Sequence, residues 1–355
     1  MVESLKSDIC GEIIIGKKAI GYLNQILDEI NPYKIGVVTS RSVADLWMKI
    51  LLENAKRDFS QVFILPDGEE VKSLETVTDL WRGLISSKFT RKSLLISFGG
   101  GAICDVTGFV ASTYMRGIGL INIPTTLLSQ VDAAIGGKTG IDFEGKNIIG
   151  TFYLPNAVIV DPIFLKTLPD DEFRSGMAEI VKYGIINGSN LLEKIENNLD
   201  RILARDSEIL EKIIQDCVRI KVSIVERDLK EKGLRMILNL GHTVGHAIEK
   251  LSNYRIKHGW AVSIGLVVSC KIAEKIFNFK DTQRIVRLLQ KLNLPIAHEY
   301  DPVKIVQAMK IDKKAWYGEI MFVLPKRIGE IVVQRVPEET ILRCLNETRK
   351  TLSSS

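Results

Sequence analysis

Three consecutive glycines, at positions 99–101, directly follow the apolar segment 94–98. A short apolar run of this kind is typical of a strand that is buried on both faces of a parallel sheet. Glycines after such a strand let the backbone turn tightly and approach a ligand closely. The next helix would then present unpaired N–H groups and the positive end of its dipole to a phosphate. The segment therefore predicts a phosphate-binding turn.

This turn departs from the G-x-G-x-x-G fingerprint of dinucleotide-binding proteins, because Cys104 occupies the place of the last glycine. A plain strand-to-helix turn is therefore an alternative interpretation. Two other loops favour a nucleotide site: the polar loop from Asp67 to Lys72, and the paired hydroxyls of Thr125 and Thr126. The first follows the strand predicted at 61–65 and the second follows the apolar segment 120–123. Nucleotides bind at the carboxyl ends of the strands in open parallel sheets.

Short β-branched runs alternate with amphipathic segments through the first half of the chain. Strands are predicted at 13–15, 35–39, 61–65, 93–98 and 155–161, and helices at 19–30, 42–58 and 74–87. This alternation is typical of a parallel sheet that is covered by helices on both faces. We predict a Rossmann-like α/β domain over residues 1–161.

From residue 162 onward, apolar residues recur at intervals of three and four positions, which predicts helices. Helices are expected at 170–187, 190–204, 207–229, 234–251, 261–277, 281–292 and 302–310, followed by a hairpin that pairs 319–324 with 329–335. We therefore predict a mostly α-helical second domain over residues 162–355.

Composition limits the classes of partner. The 48 basic and 43 acidic residues give a net charge of +5, and no basic block stands out. This excludes an ordinary nucleic-acid-binding face and favours a small anionic substrate. The most apolar stretch, 260–270, is shorter than the roughly 20 residues of a membrane span. Five scattered cysteines predict reduced thiols. We expect a soluble, cytoplasmic protein that binds neither nucleic acid nor a membrane.

Lysines occur among small residues in the middle of the chain. Lys138 follows two glycines, and Lys146 and Asn147 follow Gly145. Small neighbours let a ligand reach the backbone, so these cations, together with Arg116, are candidates for a phosphate cradle. Solvated lysines on flexible loops are the alternative interpretation.

Three of the four histidines lie between positions 242 and 258. His242 and His246 are four residues apart, which places them on one face of a helix. A catalytic zinc-like site has three protein ligands and an open position, so two histidines need an oxygen partner. Residue chemistry leaves Glu179, Glu231 and Glu249 open for this role. Glu179 stands out on an otherwise apolar helix, although a buried ion pair with Lys182 would also explain it. His298, in a polar loop, is expected to be structural.

Specific motifs extend over nearly the whole chain. They lie at 66–69, 99–105, 107–109, 114–117, 124–128, 130–132, 136–139, 145–147, 176–179, 238–249, 258–259 and 312–314. In these motifs the chain resembles the 3-dehydroquinate synthase family of sugar-phosphate cyclases. It departs from the family at Cys104, where glycine is common, and in a short loop at 139–144.

The resemblance implies a role for each matching residue. The divalent metal ligands, for zinc or cobalt, would be Glu179, His242 and His258, so that His246 becomes a substrate-side residue. NAD would be bound by Asp67, Gly68, Glu69, Glu70, Val71, Lys72, Gly100, Gly101, Ala102, Ile103, Cys104, Asp105, Thr125, Thr126, Lys138, Lys146, Phe164, Leu165, Lys166 and Thr167. Substrate would be met by Arg116, Asp132, Lys138, Asn147, Lys182, Lys221, Arg235, Asn239, His246 and Lys314 of the Lys313-Lys314 pair. The catalytic set would be His246, Glu231, Lys182 and Lys138.

The resemblance also implies a carbon–oxygen lyase of the shikimate pathway. It would convert 3-deoxy-D-arabino-heptulosonate 7-phosphate to 3-dehydroquinate and phosphate, through transient NAD oxidation, β-elimination, reduction and intramolecular aldol closure. Arg116 would reach a neighbouring subunit's site, which implies a homodimer. Three alternatives stay open: another sugar-phosphate cyclase, a metal-dependent polyol dehydrogenase of the same fold, and a non-catalytic nucleotide-binding protein. Lys221 and Arg235, as partners for a substrate carboxylate, argue against another cyclase.

Overall fold

The computed structural model describes residues 2–7, 11–312 and 319–350. The strands are β1 Glu3–Ser7, β2 Gly11–Ile15, β3 Ile35–Ser40, β4 Gln61–Leu65, β5 Leu94–Gly99, β6 Gly119–Pro124, β7 Lys138–Ile141, β8 Ile149–Phe152, β9 Ala157–Val160, β10 Glu319–Arg327 and β11 Glu330–Pro337. The helices are α1 Leu23–Ile30, α2 Arg41–Ala55, α3 Leu74–Ser86, α4 Gly101–Thr113, α5 Asp170–Asn187, α6 Ser189–Glu196, α7 Leu199–Leu203, α8 Ser207–Arg227, α9 His242–Leu251, α10 His258–Phe277, α11 Thr282–Lys291, α12 Pro302–Asp312 and α13 Glu338–Thr348.

The chain divides into two compact units. The first contains residues 1–169 together with 207–230, and the second contains 170–206 together with 231–355. Helix α8 therefore belongs to the first unit, although the sequence analysis placed it among the helices of the second domain. The sequence analysis divided the chain between residues 161 and 162 into an NAD-binding domain and a metal- and substrate-binding domain. That division stays a prediction, because the two compact units are defined by packing and not by the ligand that each one binds.

The first unit is built on a seven-stranded sheet. Its strand order is β1-β2-β9-β6-β5-β3-β4, with β1 antiparallel to β2 and every other pair parallel. All six residues of β5 are buried, as an apolar central strand requires. Leu27 and Trp47 of α1 and α2 pack against one face, and Leu80 and Val110 of α3 and α4 pack against the other. The predicted parallel α/β domain is confirmed.

The second unit is mostly helical, as predicted. Helix α10 lies at its centre and packs against α5, α9, α11, α13 and β10, which explains why 13 of its residues are buried. Strands β10 and β11 form the predicted antiparallel hairpin. No helix among the described residues is long and apolar enough to cross a membrane.

Two predicted helices are interrupted. The segment 234–251 forms a 3₁₀ helix, Leu234–Asn239, and then α9, because Gly241 adopts a φ of +81° that ends one helix before the next begins. The segment 190–204 contains both α6 and α7, separated at Asn197 and Asn198. The prediction of one continuous helix at each of these two places was wrong, because the spacing of apolar residues does not indicate where a helix is interrupted.

Candidate active site

A group of three metal-ligating side chains occurs in the second unit. Glu179 comes from the middle of α5, and His242 and His258 are the first residues of α9 and α10. One ligand atom from each lies within 4.8 Å of the others. Glu179 Oε1 lies 3.5 Å from His242 Nε2 and 3.3 Å from His258 Nε2. Of the three carboxylates that the sequence left open, the structure brings Glu179 between the two imidazoles.

Two glycines bring the three ligand-bearing helices into close contact. A Cβ at Gly259 would lie 1.9 Å from the carbonyl oxygen of Ser175 in α5. A Cβ at Gly265 would lie 1.9 Å from the carbonyl oxygen of Gly241, which directly precedes α9. No real side chain fits at these distances, so only glycine lets α10 approach both neighbours. The sequence analysis did not single out Gly265, because a glycine inside a predicted helix does not indicate which neighbouring backbone it will contact.

Both imidazoles are oriented by an acceptor on their other nitrogen. His242 Nδ1 lies 3.1 Å from the carbonyl oxygen of Leu240, and His258 Nδ1 lies 3.3 Å from Glu249 Oε1. When Nδ1–H donates to these acceptors, the Nε2 lone pair of each ring faces Glu179. Metal-binding histidines are held in this way. Two imidazole nitrogens and one carboxylate also form a known donor set of catalytic zinc sites. The residues therefore fit a zinc or cobalt cation.

Lys182 occupies the other side of the Glu179 carboxylate. Its ammonium contacts Oε2, while Oε1 faces the histidines, and both side chains are essentially buried. The buried ion pair, considered above as an alternative to a metal site, is therefore present together with the ligand group. Burial lowers the pKa of His242. At His258, burial also acts to lower the pKa, but the hydrogen bonds to Glu179 and Glu249 outweigh it and raise the pKa to about 9.

His246 lies one turn beyond His242 on α9. Its ring centroid is 5.3 Å from that of His242 and 6.2 Å from that of His258. Asn239 Nδ2 donates a hydrogen bond of 2.5 Å to Glu231 Oε1. Arg235, from the same 3₁₀ segment as Asn239, is buried. The helical spacing correctly placed His242 and His246 side by side.

In the first unit, Lys72 connects several of the residues that the resemblance assigns to the nucleotide. Its ammonium lies 2.7 Å from Asp105 Oδ2 and also contacts Asn147 Oδ1. The charges of Asp105 and Glu69 outweigh the desolvation of Lys72 and raise its pKa. Burial raises the pKa of Asp105, and Lys72 opposes that effect. Because the Lys72 carbonyl accepts from Asp142 N at 2.7 Å, Lys72 holds the 142–147 loop against α4.

The glycine turn lies where the sequence placed it, between β5 and α4. A Cβ at Gly100 would lie 3.1 Å from Thr126 Cγ2, and one at Gly101 would lie 3.3 Å from Ala133 Cβ. The backbone of the turn therefore approaches the loop after β6 closely. In the loop that follows β4, Asp67 accepts a 2.6 Å hydrogen bond from the Ser42 hydroxyl.

Several residues assigned to the nucleotide have side chains in the core. This group is Val71, Ile103, Cys104, Phe164 and Leu165. Phe164 packs edge-on against Trp47 and Phe98, with both centroids at 5.3 Å. Burial raises the pKa of Cys104 to about 12. With their side chains packed inward, these residues would offer a ligand mainly their backbone. Glu70, Lys166 and Lys138 are exposed.

The remaining predicted substrate residues have different surroundings. Lys221, from α8, donates a hydrogen bond to the Asp132 carbonyl at 2.5 Å and contacts the Asp132 carboxylate. Arg116 is exposed, and it adopts a left-handed φ of +66°, next to Met115 at +51°. Lys314 lies outside the described residues.

The fold and the ligand group define a class. The structure matches 2-deoxy-scyllo-inosose synthase complexed with carbaglucose-6-phosphate, NAD+ and Co2+, with a TM-score of 0.89 and 26% identity, covering 98% of this chain and 100% of that one. It also matches 2-epi-5-epi-valiolone synthase from Streptomyces hygroscopicus subsp. jinggangensis 5008 with NAD+ and Zn2+ bound, with a TM-score of 0.87 and 25% identity, covering 98% and 99%. The chain has the architecture of the sugar-phosphate cyclases.

The sequence matches within this class are more specific. Residues 62–175 match the family described as 3-dehydroquinate synthase N-terminal, and residues 176–315 match 3-dehydroquinate synthase C-terminal. The 3-dehydroquinate synthase of Pyrococcus abyssi is 53% identical over 329 residues, which are 92% of this chain and 97% of that protein. The chain belongs to the 3-dehydroquinate synthase family.

Proposed function

We propose that the chain converts 3-deoxy-D-arabino-heptulosonate 7-phosphate to 3-dehydroquinate and phosphate, as a lyase of the shikimate pathway. The observation that carries this proposal is the convergence of Glu179, His242 and His258 in a member of this family. Two oriented imidazoles and a buried carboxylate are suited to hold a cation that activates an alcohol.

The proposed cofactors are NAD and one divalent cation, zinc or cobalt. Related cyclases hold NAD+ with Co2+ or Zn2+. When bound, the cation polarises a substrate hydroxyl and NAD accepts and returns a hydride. We place the NAD site in the predicted domain 1–161, along Asp67–Lys72, the turn at Gly100 and Gly101, and Thr126. The metal and most substrate contacts belong to the predicted domain 162–355.

The side chains around the ligand group have the other proposed roles, which are charge neutralisation and proton transfer. Lys182 neutralises Glu179 Oε2 and is the proposed partner of a substrate oxygen. His246, whose ring lies beside both histidine ligands, is the proposed proton carrier near the leaving phosphate, through its imidazole nitrogens. Glu231 orients the Asn239 amide and is the proposed second proton acceptor, at its carboxylate.

Anionic groups of the substrate need fixed cations. We propose that Lys221 and Arg235, both buried and therefore restricted in conformation, bind the substrate carboxylate. Lys138, Asn147, Asn239 and His246 are proposed to hold the phosphate. Asp132 would set the position of Lys221 through their direct contact.

We also propose a cytoplasmic homodimer. Met115 is 47% exposed beside Arg116, and Phe152 is 45% exposed on β8, so polar and apolar groups are available for a second copy. Two successive non-glycine residues in the left-handed region are unfavourable unless their surroundings require them. The four cysteines among the described residues are buried and free, which supports a reducing compartment. Light scattering tests the dimer: wild type should have twice the chain mass, whereas a monomer would contradict it.

A turnover assay tests the reaction. The metal-loaded protein is incubated with the heptulosonate phosphate and NAD far below the substrate concentration, and both phosphate and 3-dehydroquinate are measured. The proposal predicts equal amounts of the two products over many turnovers, with no net NADH. A polyol dehydrogenase would instead accumulate one NADH for each substrate oxidised and release no phosphate.

Three variants test the assignment of roles. Glu179→Gln and His258→Ala should lose the metal and all turnover while remaining folded. His246→Ala should retain the metal but turn over slowly. Loss of the metal from His246→Ala would contradict its assignment to the substrate side.

A further inference from the structure

Glu249 is a buried carboxylate next to the proposed metal ligands but outside their group. Only 2% of its surface is exposed. Burying a carboxylate is costly unless it is paired or hydrogen-bonded. Its Oε1 lies 3.3 Å from His258 Nδ1, on the side of the ring that faces away from Glu179. The cost of burying this charge is therefore offset by a contact with a ligand residue.

The position of Glu249 follows from its helix. On α9, His242, His246 and Glu249 follow one another at spacings of four and three residues, so they share one face. This face supplies one ligand to the proposed cation and directs a carboxylate to the second ligand, which belongs to α10. The two histidine ligands differ in their acceptors: a neutral carbonyl, Leu240 O, holds His242, whereas Glu249 holds His258.

We propose that Glu249 is a positioning residue that makes His258 a metal ligand through Nε2. By accepting the Nδ1–H hydrogen bond it fixes the tautomer, the ring orientation and the electron density of that imidazole. His246, Glu249 and His258 also form a second group with ligand atoms within 4.8 Å. Because Glu249 is engaged with His258 Nδ1–H, the cation is directed to Glu179 instead. This inference rests on the proposed metal centre.

Cobalt affinity provides the first test. Metal-free wild type, Glu249→Ala and Glu249→Gln are titrated with Co2+ against a chelator, and the visible spectrum reports the ligand field. Glu249→Ala should lose affinity by about 10- to 100-fold. Glu249→Gln should recover much of it, since an amide oxygen also accepts from Nδ1–H. Glu274→Ala removes an exposed carboxylate from α10 as a matched control and should bind as wild type does.

The histidine tautomer in metal-free protein provides a second test, which does not depend on the proposed function. Because the pKa of His258 in metal-free protein is raised to about 9, the long-range ¹H–¹⁵N spectra are recorded above that pH, where the ring is neutral. They should show His258 protonated at Nδ1 alone in wild type and a mixture of tautomers in Glu249→Ala. An unchanged tautomer together with a cobalt affinity within threefold of wild type would overturn the inference. A changed cobalt spectrum that assigns Glu249 as a direct ligand would overturn it as well. Failure of wild type to bind cobalt would instead contradict the proposed metal centre.

Discussion

Replacing Gly259 with alanine should damage both the second unit and its ligand group. The new Cβ would lie 1.9 Å from Ser175 O, 2.5 Å from Ser175 C and 2.7 Å from Ser175 Cα. All three atoms are backbone, so no side chain can rotate away. Moving the oxygen contact from 1.9 Å to 3.0 Å, the short limit for real Cβ contacts, requires α5 and α10 to separate by about 1.1 Å.

The magnitudes follow from this displacement. Overpacking of this kind typically costs 1–3 kcal/mol, and we expect about 3 kcal/mol because rigid backbone opposes the new methyl group. Metal–ligand distances tolerate only about 0.2 Å, so a shift several times larger between Glu179 and His258 should lower Co2+ affinity at least tenfold, by our estimate. Both effects come from one contact between the helices that carry these ligands.

Urea denaturation of metal-free protein measures the loss of stability without the masking effect of bound metal. Gly21→Ala is the matched control, because its Cβ would meet nothing closer than Asn54 Oδ1 at 3.8 Å. That variant should be neutral or more stable by about 0.5 kcal/mol. If Gly259→Ala unfolded within about 0.5 kcal/mol of wild type and bound Co2+ equally well, the close approach of α5 and α10 would be refuted.

Three further predictions concern single side chains. Lys182→Met should lower the free energy of unfolding of metal-free protein by about 3 kcal/mol, because the buried Glu179 loses its ammonium partner. With Co2+ bound the loss of stability should be clearly smaller. Equal losses in urea titrations of the metal-free and Co2+-bound protein would contradict this prediction. Glu347→Gln should cost about 0.5 kcal/mol at pH 7, because the hydrogen bond from Lys275 holds the pKa of Glu347 below its usual 4.5. A lowered pKa stabilises the fold above the unfolded value and ceases to do so as pH falls through the folded value, so urea titrations at pH 3 should show little difference. Burial raises the pKa of Cys104 and Cys270 to about 12, so mass spectrometry should find both unlabelled by iodoacetamide at pH 8 until urea is added.

Local sequence features predicted the elements whose causes are local. The apolar run, the glycines and the following helix around β5 and α4 needed no distant information. The pairing of His242 with His246 followed from helical spacing alone. The hairpin of β7 and β8 was not predicted, because its glycine-rich composition is typical of loops. Strand β1 was also missed, since short edge strands with alternating burial carry a weak pattern.

The choice of ligands and the close contacts of helices are long-range properties. Sequence chemistry left Glu179, Glu231 and Glu249 as candidate oxygen ligands, and the packing of α5 and α9 against α10 brings Glu179 to both histidines. Likewise, the sequence placed Lys72 in a loop assigned to NAD but gave no sign that it pairs with Asp105 and supports the 142–147 loop. No spacing rule could reveal these partners, because they come from different elements.

The most direct test of the account is the position of the cation. Crystals of the protein loaded with Co2+ should give one strong anomalous peak at the cobalt edge in each second unit. We predict that this peak lies about 2.0–2.2 Å from Glu179 Oε1, His242 Nε2 and His258 Nε2. A peak bonded to His246 and Glu249, or no peak near these side chains, would contradict the account.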